Sequence, residues 1–205
     1  MKLNNLVIVA ALFGLLASCT VRNTSFPDAV DAGSNWHVHD VQVIIPDSLT
    51  TSEENIFRPD VDIIWHGDPV GDRKKQVAVI LYDALVDATE ALFPENYHRP
   101  VVIKATLIHF HSLTPVARTY SGGVHKVSFS IEVVDQSTGE VLAGPTVIEA
   151  DEFAYGGLLA ARANAKGVTM KSRIEGRITE VTQTWLGLAA EQDAVKRSSI
   201  PAIGR

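Results

Sequence analysis

Apolar positions between residues 36 and 187 recur with two different periods, and the changes of period mark the elements. Val41, Val43 and Ile45 alternate with Gln42, and Pro46 closes the run, which predicts a strand over 36–45. A polar loop over 47–59 leads to Val61-Asp62-Ile63-Ile64-Trp65, a second short strand. The interval then lengthens to three and four: Val77, Ile80, Leu81, Ala84, Leu85, Ala88 and Leu92 form one stripe of a helix that Asp72 caps and that stops before Pro94. Alternation returns with Val101, Ile103, Ala105 and Leu107 in a strand over 101–111. Beyond a Ser121-Gly122-Gly123 turn, Val127, Phe129, Ile131 and Val133 alternate with Lys126, Ser128, Ser130 and Glu132, a half-buried strand. A hairpin turn over 135–139 returns the chain antiparallel through 140–142 and 146–148, interrupted at Gly144-Pro145. Met170, Ile174, Ile178, Val181 and Trp185 mark a last helix over 168–186, ended by Gly187. The order predicts an α+β domain, a mostly antiparallel sheet with two main helices packed on one face. Trp36, Trp65 and Trp185 stand at element ends and read as packing at the core's edge. No period of 20–50 residues indicates a solenoid.

The N-terminus follows neither period. Lys2 precedes an apolar run, Leu6 to Leu16, of about 11 residues, whereas a spanning helix needs roughly 20. A short apolar run behind a positive residue reads as an export signal. Leu16-Ala17-Ser18-Cys19 resembles the lipobox of bacterial lipoproteins, and Cys19 is the only cysteine of the chain. The resemblance implies diacylglycerol on the Cys19 sulfur, cleavage before Cys19 and acylation, with palmitate or a similar chain, of the new amino group. Membrane lipid is then a partner through acylated Cys19, and several acyl chains make such attachment durable. The expected organisation is a signal peptide over 1–18, a lipidated flexible tether over 19–35, a periplasmic domain over 36–187 and a loose tail over 188–205. Thr20 lacks the Asp that retains lipoproteins at the inner membrane of some bacteria, so the outer membrane is the expected location.

Composition narrows the partners. The formal net charge is −6 and charged residues make up 20% of the chain, as in ordinary globular domains. Arg73-Lys74-Lys75 is a single helical turn of positive charge and the other cations are scattered, which argues against nucleic acid. A lone cysteine excludes an internal disulfide.

Two His-x-His runs are the most suggestive chemistry. His37 and His39 lie on the first strand and His109 and His111 end the long one; alternation places each pair on one face, with the parity of its apolar neighbours. If the two strands ran antiparallel, the four imidazoles could hold zinc or copper; a parallel crossover would separate them. The competing reading makes them strand-end histidines at the rim of the core. Gly67-Asp68-Pro69-Val70-Gly71-Asp72-Arg73 lacks the phosphate-loop pattern and reads as a turn and cap, with Asp68 or Asp72 available to pair with Arg73. Ser121 with His125 lacks a nucleophile elbow and reads as loop. Glu53-Glu54 and Asp151-Glu152 read as solvated pairs, and Gly156-Gly157 as a hinge or the start of a loose helical segment. No catalytic residue, metal ligand or cofactor is assigned.

Trp65 to Arg73, Gly122-Gly123-Val124-His125, Thr138-Gly139-Glu140 and Trp185-Leu186-Gly187 together resemble small periplasmic domains of uncharacterised bacterial outer-membrane lipoproteins. That resemblance implies a fold and a compartment and no activity. The expected function is a non-enzymatic, membrane-anchored binding or assembly module for an envelope protein, with a metal-binding or metal-trafficking lipoprotein as the alternative. An uncovered sheet edge could accept a partner strand.

Overall fold

The computed structural model describes Phe26, Val30 and residues 36–92 and 99–188. The expected signal peptide, Cys19, most of the expected tether and the tail beyond residue 188 lie outside the described residues. Among the described residues the domain is α+β, a mixed six-stranded sheet with four helices. Chain order is β1 (Trp36–Ile44), β2 (Ile63–Ile64), α1 (Arg73–Thr89), β3 (Arg99–His111), α2 (Pro115–Tyr120), β4 (Gly123–Asp135), β5 (Val141–Glu149), β6 (Glu152–Ala154), α3 (Gly157–Ala165) and α4 (Met170–Trp185). The main path of the sheet is β1-β3-β4-β5, with β2 beside β3 and β6 beside β4. β1 and β2 run parallel to β3; β3–β4, β4–β5 and β4–β6 are antiparallel.

The core follows the two periods. Val101, Ile103, Ala105 and Leu107 of β3 and Val127, Phe129, Ile131 and Val133 of β4 are all buried, as is the complete α1 stripe from Val77 to Ala88. Ile174, Ile178, Val181 and Trp185 bury one side of α4, and Thr179 Oγ1 donates to the Ala84 carbonyl of α1 (3.1 Å), tying the two helices side by side. Each buried aliphatic side chain contributes about 1.5–3 kcal/mol, so this single layer supplies most of the driving force. The opposite sheet face presents Lys104, Thr106, Ser130 and Glu132, all half-exposed.

Helix starts follow local chemistry. The Asp72 carboxylate accepts from the Lys75 N–H (3.0 Å), and the Thr169 hydroxyl caps α4 in a reciprocal box with Ser172. α2 goes beyond the sequence reading: Thr114 caps it and Pro115 occupies its first turn. Of the two readings of Gly156-Gly157 the start of a helical segment holds and the hinge does not: Gly156 caps the nine-residue helix α3, and the short strand β6 precedes it.

Charged residues near α1 differ from expectation. Arg73 is 4% exposed and its guanidinium makes a two-pronged contact with Glu53 (2.6 and 2.8 Å), so Glu53 is an ion-pair partner rather than a solvated acid. Neither Asp68 nor Asp72 offers its carboxylate to Arg73. Asp68 accepts the Trp65 indole N–H (2.7 Å) and gives Arg73 its backbone carbonyl, while Asp72 caps the helix. A β-carbon on Gly67 would lie 2.2 Å from the Trp65 ring, so this turn closes directly over the buried indole. Asp151 is likewise buried and Glu152 pairs with Arg173, which replaces the solvated reading of that pair.

Two residues of the expected tether pack on the domain. Phe26 and Val30 lie against the core, and the Val30 N–H donates to the Trp185 carbonyl at the end of α4 (2.8 Å).

Candidate functional site

The parallel pairing of β1 with β3 decides the fate of the two His-x-His runs. His37 lies opposite Pro100, at the start of β3, whereas His109 and His111 end that strand. Nine residues of strand separate the two levels, about 30 Å at 3.3 Å per residue. The four-histidine metal site is therefore overturned: the runs occupy opposite ends of a parallel pair. Among the described residues no three His, Cys, Asp or Glu side chains are grouped to hold an ion.

Each run also lies against a β-bulge that alternation does not reveal. The β1 register slips between Val38 and Asp40, leaving Val38 buried and His39 exposed. The β3 register slips between Leu107 and His109. The extra residue, Ile108, reverses the parity of the strand's last three positions: Phe110 joins the core, and His109 and His111 turn onto the opposite sheet face, across from Ser128 and Lys126.

There the imidazoles line the wall of a cleft of about 880 Å³. Its other walls come from Phe57 and Arg58 of the loop before β2, Val124 and Lys126 of β4, and Ala117 of α2. The two rings are 3.6 Å apart between centroids, tilted by 47°. His111 Nε2 donates to the Val61 carbonyl, which leaves Nδ1 as the acceptor of a neutral ring. Burial, then the His111 charge, pushes His109 down to about 4, and burial also lowers His111. Both rings are thus uncharged at neutral pH. Asp62 opposes these effects, but its carboxylate is engaged by the Thr50 N–H (2.8 Å) and hydroxyl (2.7 Å). The positive charge of the cleft comes from Arg58 and Lys126. Phe57, 62% exposed, gives one wall an apolar surface.

Ser121 and His125 do not form a nucleophile and base. The Ser121 hydroxyl donates to the backbone carbonyls of Ala117 and Gly122, and His125 Nδ1 accepts from the Leu113 N–H (3.3 Å). Sequence reasoning missed α2, hence the cleft's wall; the signal available was Thr114 followed by Pro115. It also missed Phe57, which carries no periodic signature.

Among the described residues no helix is long and apolar enough to cross a membrane. No curated protein matches the chain. Similar solved structures include a protein from Xanthomonas campestris (16% identity, 86% of this chain and 96% of that one, TM-score 0.44). The PelC dodecamer from Paraburkholderia phytofirmans is also similar (17% identity, 82% and 96%, TM-score 0.38), as is a minor lipoprotein from Acinetobacter baumannii (9% identity, 75% and 94%, TM-score 0.33). Residues 36–202 match the model of a family of unknown function (DUF6778), and the chain belongs to that family.

Proposed function

We propose that this chain is an exported lipoprotein, held to a bacterial membrane through acyl chains on Cys19, whose domain is a non-enzymatic module that binds or assembles with an envelope protein. The Leu16-Ala17-Ser18-Cys19 sequence supports the anchor, and Thr20 favours the outer membrane over the inner. The observation that carries the binding reading is the cleft beside His109 and His111, on the sheet face opposite α1 and α4. It is wide, positively charged at Arg58 and Lys126, and walled in part by the exposed Phe57. A large aromatic side chain kept in water in the wall of a concave polar surface marks an interaction site more often than chance exposure.

The two halves are tested separately. A Cys19→Ala variant is expected to fold but to leave the membrane fraction; unchanged sedimentation with membranes overturns the anchor. A photo-crosslinking residue at Phe57 is expected to trap a reproducible envelope protein, and one at Tyr82, half-exposed on α1, is expected not to. Equal capture from both positions, or none from Phe57, removes the cleft as the binding surface.

A further inference from the structure

A second cavity of about 420 Å³ lies on the other side of α2. Its walls are Arg118 and Thr119 of α2, Ala160 and Asn164 of α3, Met170 at the start of α4, and His66. It adjoins a narrow inner cleft that shares Arg118, Asn164 and Met170 and is lined further by His125, Tyr155 and Arg173.

Two guanidinium groups dominate the polar lining, beside hydroxyl and amide groups that can both donate and accept. Arg118 is half-buried, and among the described residues its guanidinium has no hydrogen-bond or ion-pair partner. Arg73, Arg99 and Arg173, by contrast, each hold a carboxylate. His125 is 1% exposed and accepts the Leu113 N–H at Nδ1, so its proton sits on Nε2. Arg173 is fixed by Glu152, by the Phe153 carbonyl (2.6 Å) and by the face of Tyr155 (4.3 Å to the ring centroid). Its Nε is buried and has no partner, and His66 Nε2 is also buried without one. Among the described residues no Asp or Glu lines either cavity. Leu113, Pro115, Ala160, Ala161 and Met170 supply an apolar surface beside these donors.

An unneutralised guanidinium, unsatisfied buried nitrogens and the absence of acids suit an oxyanion, since a buried N–H without an acceptor is destabilising until one arrives. The apolar wall suits a non-polar body attached to it. We propose that the cavity between α2, α3 and α4 binds a small organic anion, a carboxylate or phosphate head on an apolar body, with Arg118 as the principal contact and Asn164 and His66 beside it. This site is separate from the cleft at His109 and His111, and does not depend on what occupies that cleft or on the anchor.

The test is calorimetric titration of the full chain, in a zwitterionic detergent, with phenylacetate, phenyl phosphate, inorganic phosphate and benzylamine. Saturable binding of at least one aromatic anion is expected, with benzylamine silent; which of the two binds more tightly identifies the head. Arg118→Gln is expected to weaken binding roughly tenfold to a hundredfold, as for loss of a charge-assisted contact. Arg162→Gln, on the exposed side of α3, is expected to leave it unchanged. Asn164→Ala provides a second lesion if Arg118→Gln melts early, and is expected to weaken binding without loss of helix signal. Binding of benzylamine as tightly as of the anions, equal losses in the Arg118 and Arg162 variants, or no anion binding by the unaltered chain overturns the site. Inorganic phosphate binding as tightly as phenyl phosphate overturns the apolar half of the proposal.

Discussion

Gly122 and Gly156 meet backbone to backbone: a β-carbon added to Gly156 would lie 2.2 Å from the Gly122 nitrogen, and one added to Gly122 would lie 2.7 Å from the Gly156 nitrogen. Gly122 also has φ +68°, which few other residues adopt without strain. This crossing fixes the turn after α2 against the turn before α3. It therefore sets the spacing between the two helices that wall the Arg118 cavity. Gly156→Ala is expected to lower stability by about 1–3 kcal/mol, the usual range for overpacking, and to reduce the melting temperature. Gly176→Ala is the opposite case. Gly176 lies on the exposed side of α4 with nothing within 4 Å of its would-be β-carbon, and the variant is expected to gain about 0.5–1 kcal/mol. Urea denaturation of the two variants checks both signs.

The Arg73–Glu53 contact joins a buried guanidinium to a carboxylate that is 48% exposed. Glu53→Ala leaves the positive charge without its partner. The expected loss is about 1–3 kcal/mol, less than for a wholly buried pair because water reaches the Glu53 side. The Arg73 bond, chiefly, lowers the Glu53 pKa from 4.5. This contribution is therefore present above that value and disappears as pH falls through the lowered one. Comparison of urea midpoints for the two proteins between pH 3 and pH 7 should show curves that converge in acid.

His125 has the opposite proton preference from a paired histidine. Burial first, then Arg173 and Arg118, pushes it from 6.5 down to about 4. The unfolded chain binds the proton more readily, so the folded state has its full stability above pH 6.5 and loses it as pH falls toward 4. The full loss is on the order of 3 kcal/mol. His109 acts in the same direction. His125→Gln is expected to flatten the pH dependence between 4 and 6.5; an unchanged slope would remove His125 as its source.

Ile108 is the inserted residue that turns His109 and His111 away from the helices. Deletion of Ile108 would remove the bulge and leave Leu107, His109, Phe110 and His111 opposite Phe129, Ser128, Val127 and Lys126, in simple alternation with Phe110 still in the core and both imidazoles on the other face. The expected loss is therefore well below the roughly 3–5 kcal/mol that expulsion of the phenylalanine would cost. Thermal melting of the deletion variant, beside Ile108→Ala, separates the loss of the bulge from the loss of a side chain that is 42% exposed.

The long periodic elements were legible because their signals are local. The α1 stripe, the Asp72 cap and the alternation of Val127 to Val133 each lie within one element, and all appear where the pattern puts them. The bulges at His39 and Ile108 were not, because one extra residue leaves the composition of a strand unchanged and appears only against its neighbour. The parallel direction of β1 was equally hidden, since pairing depends on the route of the intervening helix. Arg73 and Glu53 are twenty positions apart and meet only when the loop before β2 folds back. The cleft was legible only as a pair of histidines; its far wall depends on α2, whose six residues are too few for a stripe.

The Val30 N–H to Trp185 carbonyl bond has a mechanical consequence. The chain enters the domain beside the last turn of α4, far along the sequence from β1, the element it enters next. Tension arriving from the N-terminal side is therefore taken up first by the end of a helix packed on α1, and only afterwards by the outermost strand. A strand pulled along its edge opens one ladder bond at a time, whereas this junction shears against Phe26, Val30 and Trp185 together.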